Sequence, residues 1–394
     1  MKIERIEIFD ILCQQRQQWH PVFVRIHTDN GISGVGEAGL AYDWGHSAVA
    51  NMINEIAQAR IIGADPLQTE LLWNKMYREG FWAFAGNAVF FAAMSAIDTA
   101  LWDIKAKYFN VPLYQLLGGK VNSQLRTYAS QLQFDWDSDA RKLVKPIDYA
   151  KAAEKALKEG YTAVKVNPMF YDNNANTIYD LTKILTTDLM QMISARMKAT
   201  RDAVGDNVDI FLECHSLLGA TTAIQVGKNI AEKFNCAFME EPVNYLNSKL
   251  HDKISQKLDI PLAAGERLFF RHGMRPYFEN QTIDILQPDI GLCGGITETK
   301  KVCDYAEMYD IQVQAHVCGG PVATAVALHL ETAITNFYIH EHHTYALKSW
   351  NRELCIQDYQ PQNGYMQAPE LPGIGIDLND SVVMSSKVAE IKQN

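Results

Sequence analysis

The chain has 394 residues, 47% hydrophobic and 21% charged, with a formal net charge of −10. An acidic balance without a dense Lys/Arg block excludes a nucleic-acid surface, and no apolar run approaches the roughly 20 residues of a membrane-spanning helix. The composition is that of a globular chain with a large core, and the length leaves room for two domains.

In chain order, residues 2–9 and 22–28 alternate as antiparallel strands, joined by a polar loop that carries Trp19 and His20. Residues 29–37 read as a turn and a third strand. The first twelve residues lack the apolar core and cleavage site of a signal peptide. Helical patterns follow over 46–62, 66–77 (proline at its start) and 88–108. A sheet followed by helices predicts an α+β domain. Eight short apolar stretches then alternate with longer polar segments, at 126–130, 163–167, 210–213, 237–240, 261–264, 284–287, 312–315 and 336–340. They predict a parallel (β/α)8 barrel. Its second unit is long, with a loop at 167–177. The seven cysteines are scattered and form no C-x-x-C pair, which predicts small buried thiols in a reducing cytoplasm.

Three of the barrel stretches end in an acid: IFLECHS (210–216), AFMEEP (237–242) and PLAAGE (261–266). Glu213, Glu240 and Glu266 stand 27 and 26 residues apart, about one strand-helix unit each. Successive units bring such acids together at the C-terminal mouth of a barrel. Three converging carboxylates repel one another unless a cation neutralises them, and an all-oxygen set suits magnesium. Each acid taken singly reads equally well as a solvated strand end. Side chains alternate along a strand, so only one of Glu240 and Glu241 shares the inward face, and Glu240 is preferred.

The segment MSAIDTALWDIKAKYFNVPLYQLLGG (94–119) resembles the mandelate racemase/muconate-lactonizing branch of the enolase superfamily. IPLAAGERLF (260–269), ILQPD (285–289), GGITE (294–298) and the 320–329 run resemble its D-galactonate-dehydratase-like sugar-acid dehydratases. The resemblance implies a modified (β/α)8 TIM-type barrel over 123–360 and an α+β N-terminal capping domain over 1–122. A C-terminal segment, 361–394, returns to complete the cap. It also implies one Mg2+ per chain, held by Glu213, Glu240 and Glu266. The third-strand ligand in relatives is more often Asp, so Glu213 is a departure.

His316 and Asp289 lie at the exits of neighbouring strands, where the aspartate can orient the imidazole as a general base near neutral pH. By residue type alone His316 reads more often as a structural or exposed histidine. Relatives with QPD and a seventh-strand His use that dyad to take the proton next to a carboxylate. His215 is two residues from Glu213, so strand alternation turns both to the mouth. It is read as the acid that protonates a departing hydroxyl, or as a second-sphere or metal contact. Lys165 and Asn167 share a face of the second strand, where epimerases of this branch read K-x-K. The run KVN counts against racemisation, and Lys165 either assists electrostatically or pairs with an acid. Glu341 matches an eighth-strand acid that steadies an enediolate in relatives. His340, His342 and His343 flank it but point in alternate directions, against joint zinc ligation. Arg267 reads as a substrate-carboxylate contact or an ion-pair partner. Trp19, Trp44 and Trp82 read as substrate-enclosing cap residues or as domain packing. The expected activity is dehydration of a sugar acid to a 2-keto-3-deoxy acid. A sugar-acid epimerase and a non-catalytic binding protein are the alternatives. The expected partners are a small sugar acid and further copies of the chain, with neither nucleic acid nor membrane.

Overall fold

The computed structural model describes residues 1–13, 19–137 and 141–393. The N-terminal residues form an antiparallel meander of β1 (Ile3–Asp10), β2 (Val22–Thr28) and β3 (Ser33–Ala38). The last strand, Lys387–Lys392, adds to the outer edge of β1 and completes a four-stranded sheet. Three helices cover one face: α1 (His46–Ile56), α2 (Thr69–Arg78) and α3 (Ala88–Phe109). The second begins three residues beyond the expected proline, because 66–67 form a turn ahead of the first helical hydrogen bonds. Apolar residues all round make α3 a buried helix rather than a surface one. It lies directly on β3, where a Cβ on Gly34 or Gly36 would stand 2.3 or 1.9 Å from the carbonyl oxygens of Ala100 and Ala96. The glycines of SGVGEA are what let the two backbones meet.

The barrel strands are β4 (Leu125–Ser130), β5 (Ala163–Val166), β6 (Asp209–Glu213), β7 (Phe238–Glu240), β8 (Leu262–Ala264), β9 (Ile285–Leu286), β10 (Gln312–Val313) and β11 (His340–His343). Each pairs in parallel with its neighbour. The eighth differs from the expected 336–340. Phe337 bridges Val313, and the paired strand begins only at His340, in register with Thr127 on β4. Closing a barrel requires this connection to leave one neighbour and reach the other, and one short apolar run is divided between the two. The fold is the modified barrel with an α+β cap.

Cap and barrel interlock through buried polar groups. Asp98 of α3 accepts hydrogen bonds from the Thr297 amide and hydroxyl at 2.9 and 2.6 Å, and Trp102 Nε1 donates to the same hydroxyl at 2.7 Å. Glu37 of β3 accepts from the amides of Gly320 and Ala323, at the N-terminus of the helix Pro321–Ala333. The seven cysteines form no disulfide among the described residues, and six of them are buried. No helix among the described residues is long and apolar enough to cross a membrane.

Candidate active site

Strand ends at the mouth bring a group of charged side chains out of water. Glu213 and Glu240 are directly opposite in the β6–β7 register. Both are at most 1% exposed, and Glu266 beyond β8 is 8% exposed. Lys165 of β5, 1% exposed, spans the gap. Its Nζ lies 2.5 Å from Glu240 Oε1, 2.9 Å from Glu341 Oε1 and 3.3 Å from Glu213 Oε2. Burial works against the ammonium, but the carboxylates outweigh it and hold its pKa well above the ordinary lysine value. Glu213 and Glu240 titrate together. Burial raises both, His215 and Lys165 draw Glu213 down, and burial with the neighbouring charge leaves Glu240 raised.

The second oxygen of Glu240, Oε2, is buried and accepts no hydrogen bond among the described residues. An unpartnered carboxylate oxygen beside two further buried acids is costly in a protein interior and suits a hard divalent cation. The donor set fits magnesium. The ligand atoms of the three glutamates are nevertheless more widely spread than those of a second triad in the cap, where Asp10, His20 and His46 each offer an atom within 4.8 Å of the others.

His316 follows β10. Its Nδ1 lies 2.8 Å from Asp289 Oδ2 and its Nε2 lies 3.4 Å from Glu266 Oε2. Burial pulls its pKa down, but Glu266 and Asp289 more than offset this and push it up to about 9. That is above the near-neutral value expected from the sequence, because a second carboxylate faces the ring. Glu341 is fully buried, accepting from Ser130 Oγ at 2.5 Å and from the Val317 amide at 2.9 Å.

His215 reaches the mouth by a route other than strand alternation. The strand stops at Glu213, and His215 and Ser216 adopt φ of 48° and 57°. This left-handed turn carries the ring to Asn167, whose Nδ2 donates to Nδ1 at 2.8 Å, while Nε2 lies 3.9 Å from Glu213 Oε2. The Glu213 carboxylate also accepts the His215 amide at 2.7 Å. Burial lowers the His215 pKa against the pull of Glu213 and Glu266. Glu241 accepts from the Gly265 amide and Ser216 hydroxyl. Arg267 donates to Glu266 at 3.0 Å.

The tryptophans separate. Trp19 is fully buried, donates to Asn351 Oδ1 at 3.3 Å and packs on Tyr345 and Trp350. It is cap-to-barrel packing. Trp44 and Trp82 are 92% and 78% exposed. Among the described residues neither makes a hydrogen bond or ring contact with the acid group, Trp82 meeting Phe81 edge-on. The histidines around Glu341 diverge, His340 to Glu331 and His342 to Tyr161.

The sequence located the first barrel strand but assigned no site residue to its end. Ser130 holds Glu341, and Gln131 Nε2 lies 3.4 Å from Glu213 Oε2. Gln133 bonds Gln131 and accepts the Asn167 amide. The available signal was the polar run SQLQ directly after an apolar strand.

The comparisons agree with this architecture. Residues 148–382 match the enolase C-terminal domain-like model, and residues 5–118 match the N-terminal domain of mandelate racemase/muconate lactonizing enzyme. A D-galactonate dehydratase of Verminephrobacter eiseniae is 32% identical over 92% of this chain and 90% of its own. A D-gluconate dehydratase of Thermoproteus tenax is 29% identical over 97% and 73%. A solved structure of an enolase-superfamily member from Salmonella Typhimurium superposes with a TM-score of 0.96 at 48% identity, covering 99% of this chain and all of that one. With both domain models matched in order along one continuous cap-and-barrel fold, the chain belongs to the mandelate racemase/muconate lactonizing enzyme family of the enolase superfamily.

Proposed function

We propose that this chain is a magnesium-dependent carbon–oxygen lyase that dehydrates a sugar acid to a 2-keto-3-deoxy acid. The observation that carries the reading is the pairing of a buried three-glutamate cluster with two histidines on different sides of it, each oriented by its own partner. Dehydratases of galactonate and gluconate among the relatives support the substrate class.

Glu213, Glu240 and Glu266 would hold the metal, which supplies a fixed positive charge for a substrate carboxylate and for charge developing next to it. His316, oriented by Asp289, removes the proton at carbon 2, for which it must be neutral. A cation among the glutamates opposes the imidazolium and brings its pKa down from the metal-free value. His215, held by Asn167, delivers a proton to the hydroxyl leaving carbon 3. Glu341, fixed by Ser130 and the Val317 amide, faces the reacting centre with Lys165 and steadies the enediolate oxygens. Water is kept out by the burial of every acid in the group. Asn167 stands where epimerases carry a second lysine base, so substrate recovered from deuterated water should keep its configuration at carbon 2.

The test separates the histidines. His215→Asn should cut keto-acid formation by about 10²–10⁴, the usual worth of a general acid, while carbon-2 hydrogen still exchanges with deuterated solvent. His316→Asn should lose both processes. Proton NMR of the carbon-2 signal with a panel of mono- and diacid sugars reads both. Exchange retained in the His316 variant and lost in the His215 variant would reverse the assignments. No turnover by the wild-type chain on any acid sugar would sink the reading.

A further inference from the structure

The cap carries a cluster of metal-ligating side chains that the chemistry above does not use. Asp10 ends β1, His20 stands just ahead of β2 and His46 is the first residue of α1. His46 Nδ1 lies 2.8 and 3.0 Å from the two oxygens of Asp10. The imidazoles of His20 and His46 lie parallel, their centroids 3.9 Å apart and their planes 5° from coplanar. One ligand atom from each of the three residues falls within 4.8 Å of the other two, and among the described residues no other triad of His, Cys, Asp or Glu does so.

The backbone holds these groups in place without a metal. Asp10 pairs with Val22 across β1 and β2, and the His20 amide donates to Ala41 O at 2.7 Å. Trp19 bridges Tyr42, and Gly45, at φ 112°, turns the chain so that α1 opens on His46. Three segments distant in sequence thus bring two imidazoles and a carboxylate within reach of one ion, toward which the stacked rings would have to rotate for a nitrogen of each to point at it. His20 is 8% exposed, whereas the side chains of Asp10 and His46 are 15% and 27% exposed. One side of the cluster therefore remains open to water.

We infer that Asp10, His20 and His46 form a binding site for a divalent transition ion of the zinc class, separate from the glutamate site. Two nitrogens and one oxygen suit Zn2+, Co2+ or Ni2+, whereas Mg2+ takes oxygen ligands. Three protein ligands with an open side leave a position for water. The ion takes the place of the contact between His46 Nδ1 and the Asp10 carboxylate, each of which then offers it a ligand atom. It ties the end of β1, the entry to β2 and the start of α1 together. Beside them, the Gly39 amide just after β3 reaches Gly291 O at 2.8 Å, and Trp19, next to His20, reaches Asn351 of the barrel. An occupied site therefore stiffens the cap edge that borders the mouth, and an ion that binds only the folded chain raises its melting temperature.

Isothermal titration of the full chain with Zn2+ in excess Mg2+ should give one equivalent bound with a rise in melting temperature of a few degrees. Asp10→Asn and His46→Gln should each weaken that binding at least tenfold, and Glu240→Gln should leave it intact. Zinc binding lost in Glu240→Gln but kept in His46→Gln would put the ion at the glutamates and overturn the inference. Absence of binding in the wild type would do the same. A readout that needs no variant is the titration of wild-type protein with Co2+. The ring-proton signals of His20 and His46 should shift or broaden, and signals that stay unmoved at saturation overturn the site.

Discussion

Lys165 answers three buried carboxylates with one ammonium, and that imbalance governs the metal-free protein. Removing one partner of a buried ion pair leaves charge without compensation, at a cost of about 3–5 kcal/mol. Lys165→Met should therefore destabilise the metal-free chain by about that much in urea, and Mg2+ should restore most of the loss. If Mg2+ gives no recovery, the glutamates do not hold the ion. His316 offers a second measurement. Its pKa is raised to about 9 from an ordinary value of 6.5, chiefly against burial by Glu266 and Asp289. A group raised in this way contributes stability that is fully present below pH 6.5 and lost as pH rises through about 9. In metal-free protein the His316 ring signals should titrate near 9, and Glu266→Gln should lower that midpoint. A midpoint unchanged in the variant would mean that Glu266 does not face the ring.

At the scale of elements, the period-two and helical patterns located the first three strands of the cap and seven of the barrel strands, because each is a short apolar run bounded by charge or glycine, whereas the fourth cap strand, Lys387–Lys392, was not located by pattern. The eighth was displaced, since 336–338 leans on β10 and 340–343 on β4. No local pattern distinguishes one strand from two half-strands with different neighbours. His215 shows a related limit. Its place beside Glu213 was anticipated from strand alternation, but a left-handed turn at 215–216 puts it there. The β3–α3 contact yields a prediction of its own. Gly36→Ala drives a Cβ to 1.9 Å from the Ala96 carbonyl oxygen, so the strand and helix must separate. The expected loss is about 1–3 kcal/mol or more by chemical denaturation. An unchanged midpoint would mean that the two backbones are not held in contact.

Across the whole molecule, the strings that carried the family resemblance meet in space. MSAIDTALWDIK supplies Asp98 and Trp102, GGITE supplies Thr297, and these side chains form the seam between cap and barrel. The backbone of Gly295 approaches Asp98 so closely that a Cβ there would stand 2.4 Å from its carboxylate. Asp98→Ala should leave the Thr297 amide and hydroxyl buried without an acceptor, costing about 1–3 kcal/mol. Amides of α3 should then exchange faster with deuterated solvent, whereas those of β6 and β7 should not. Equal protection in variant and wild type would show that the seam rests on other contacts.

The sequence alone determined most of the segments that become strands and helices, and which carboxylates end strands, because alternation, helical spacing and terminal acids are local properties. It also identified the family, through strings whose residues are constrained by the seam they build. Distances across the barrel were decided only by the tertiary structure. The convergence of Lys165 on Glu213, Glu240 and Glu341, the support of Glu341 by Ser130 and of His215 by Asn167, and the burial of Trp19 all depend on barrel closure and cap docking. The pKa of His316 belongs with them. A carboxylate 50 residues away in sequence reaches the ring only because β8 and β10 deliver both to one mouth, and electrostatics responds to separation in space, not along the chain.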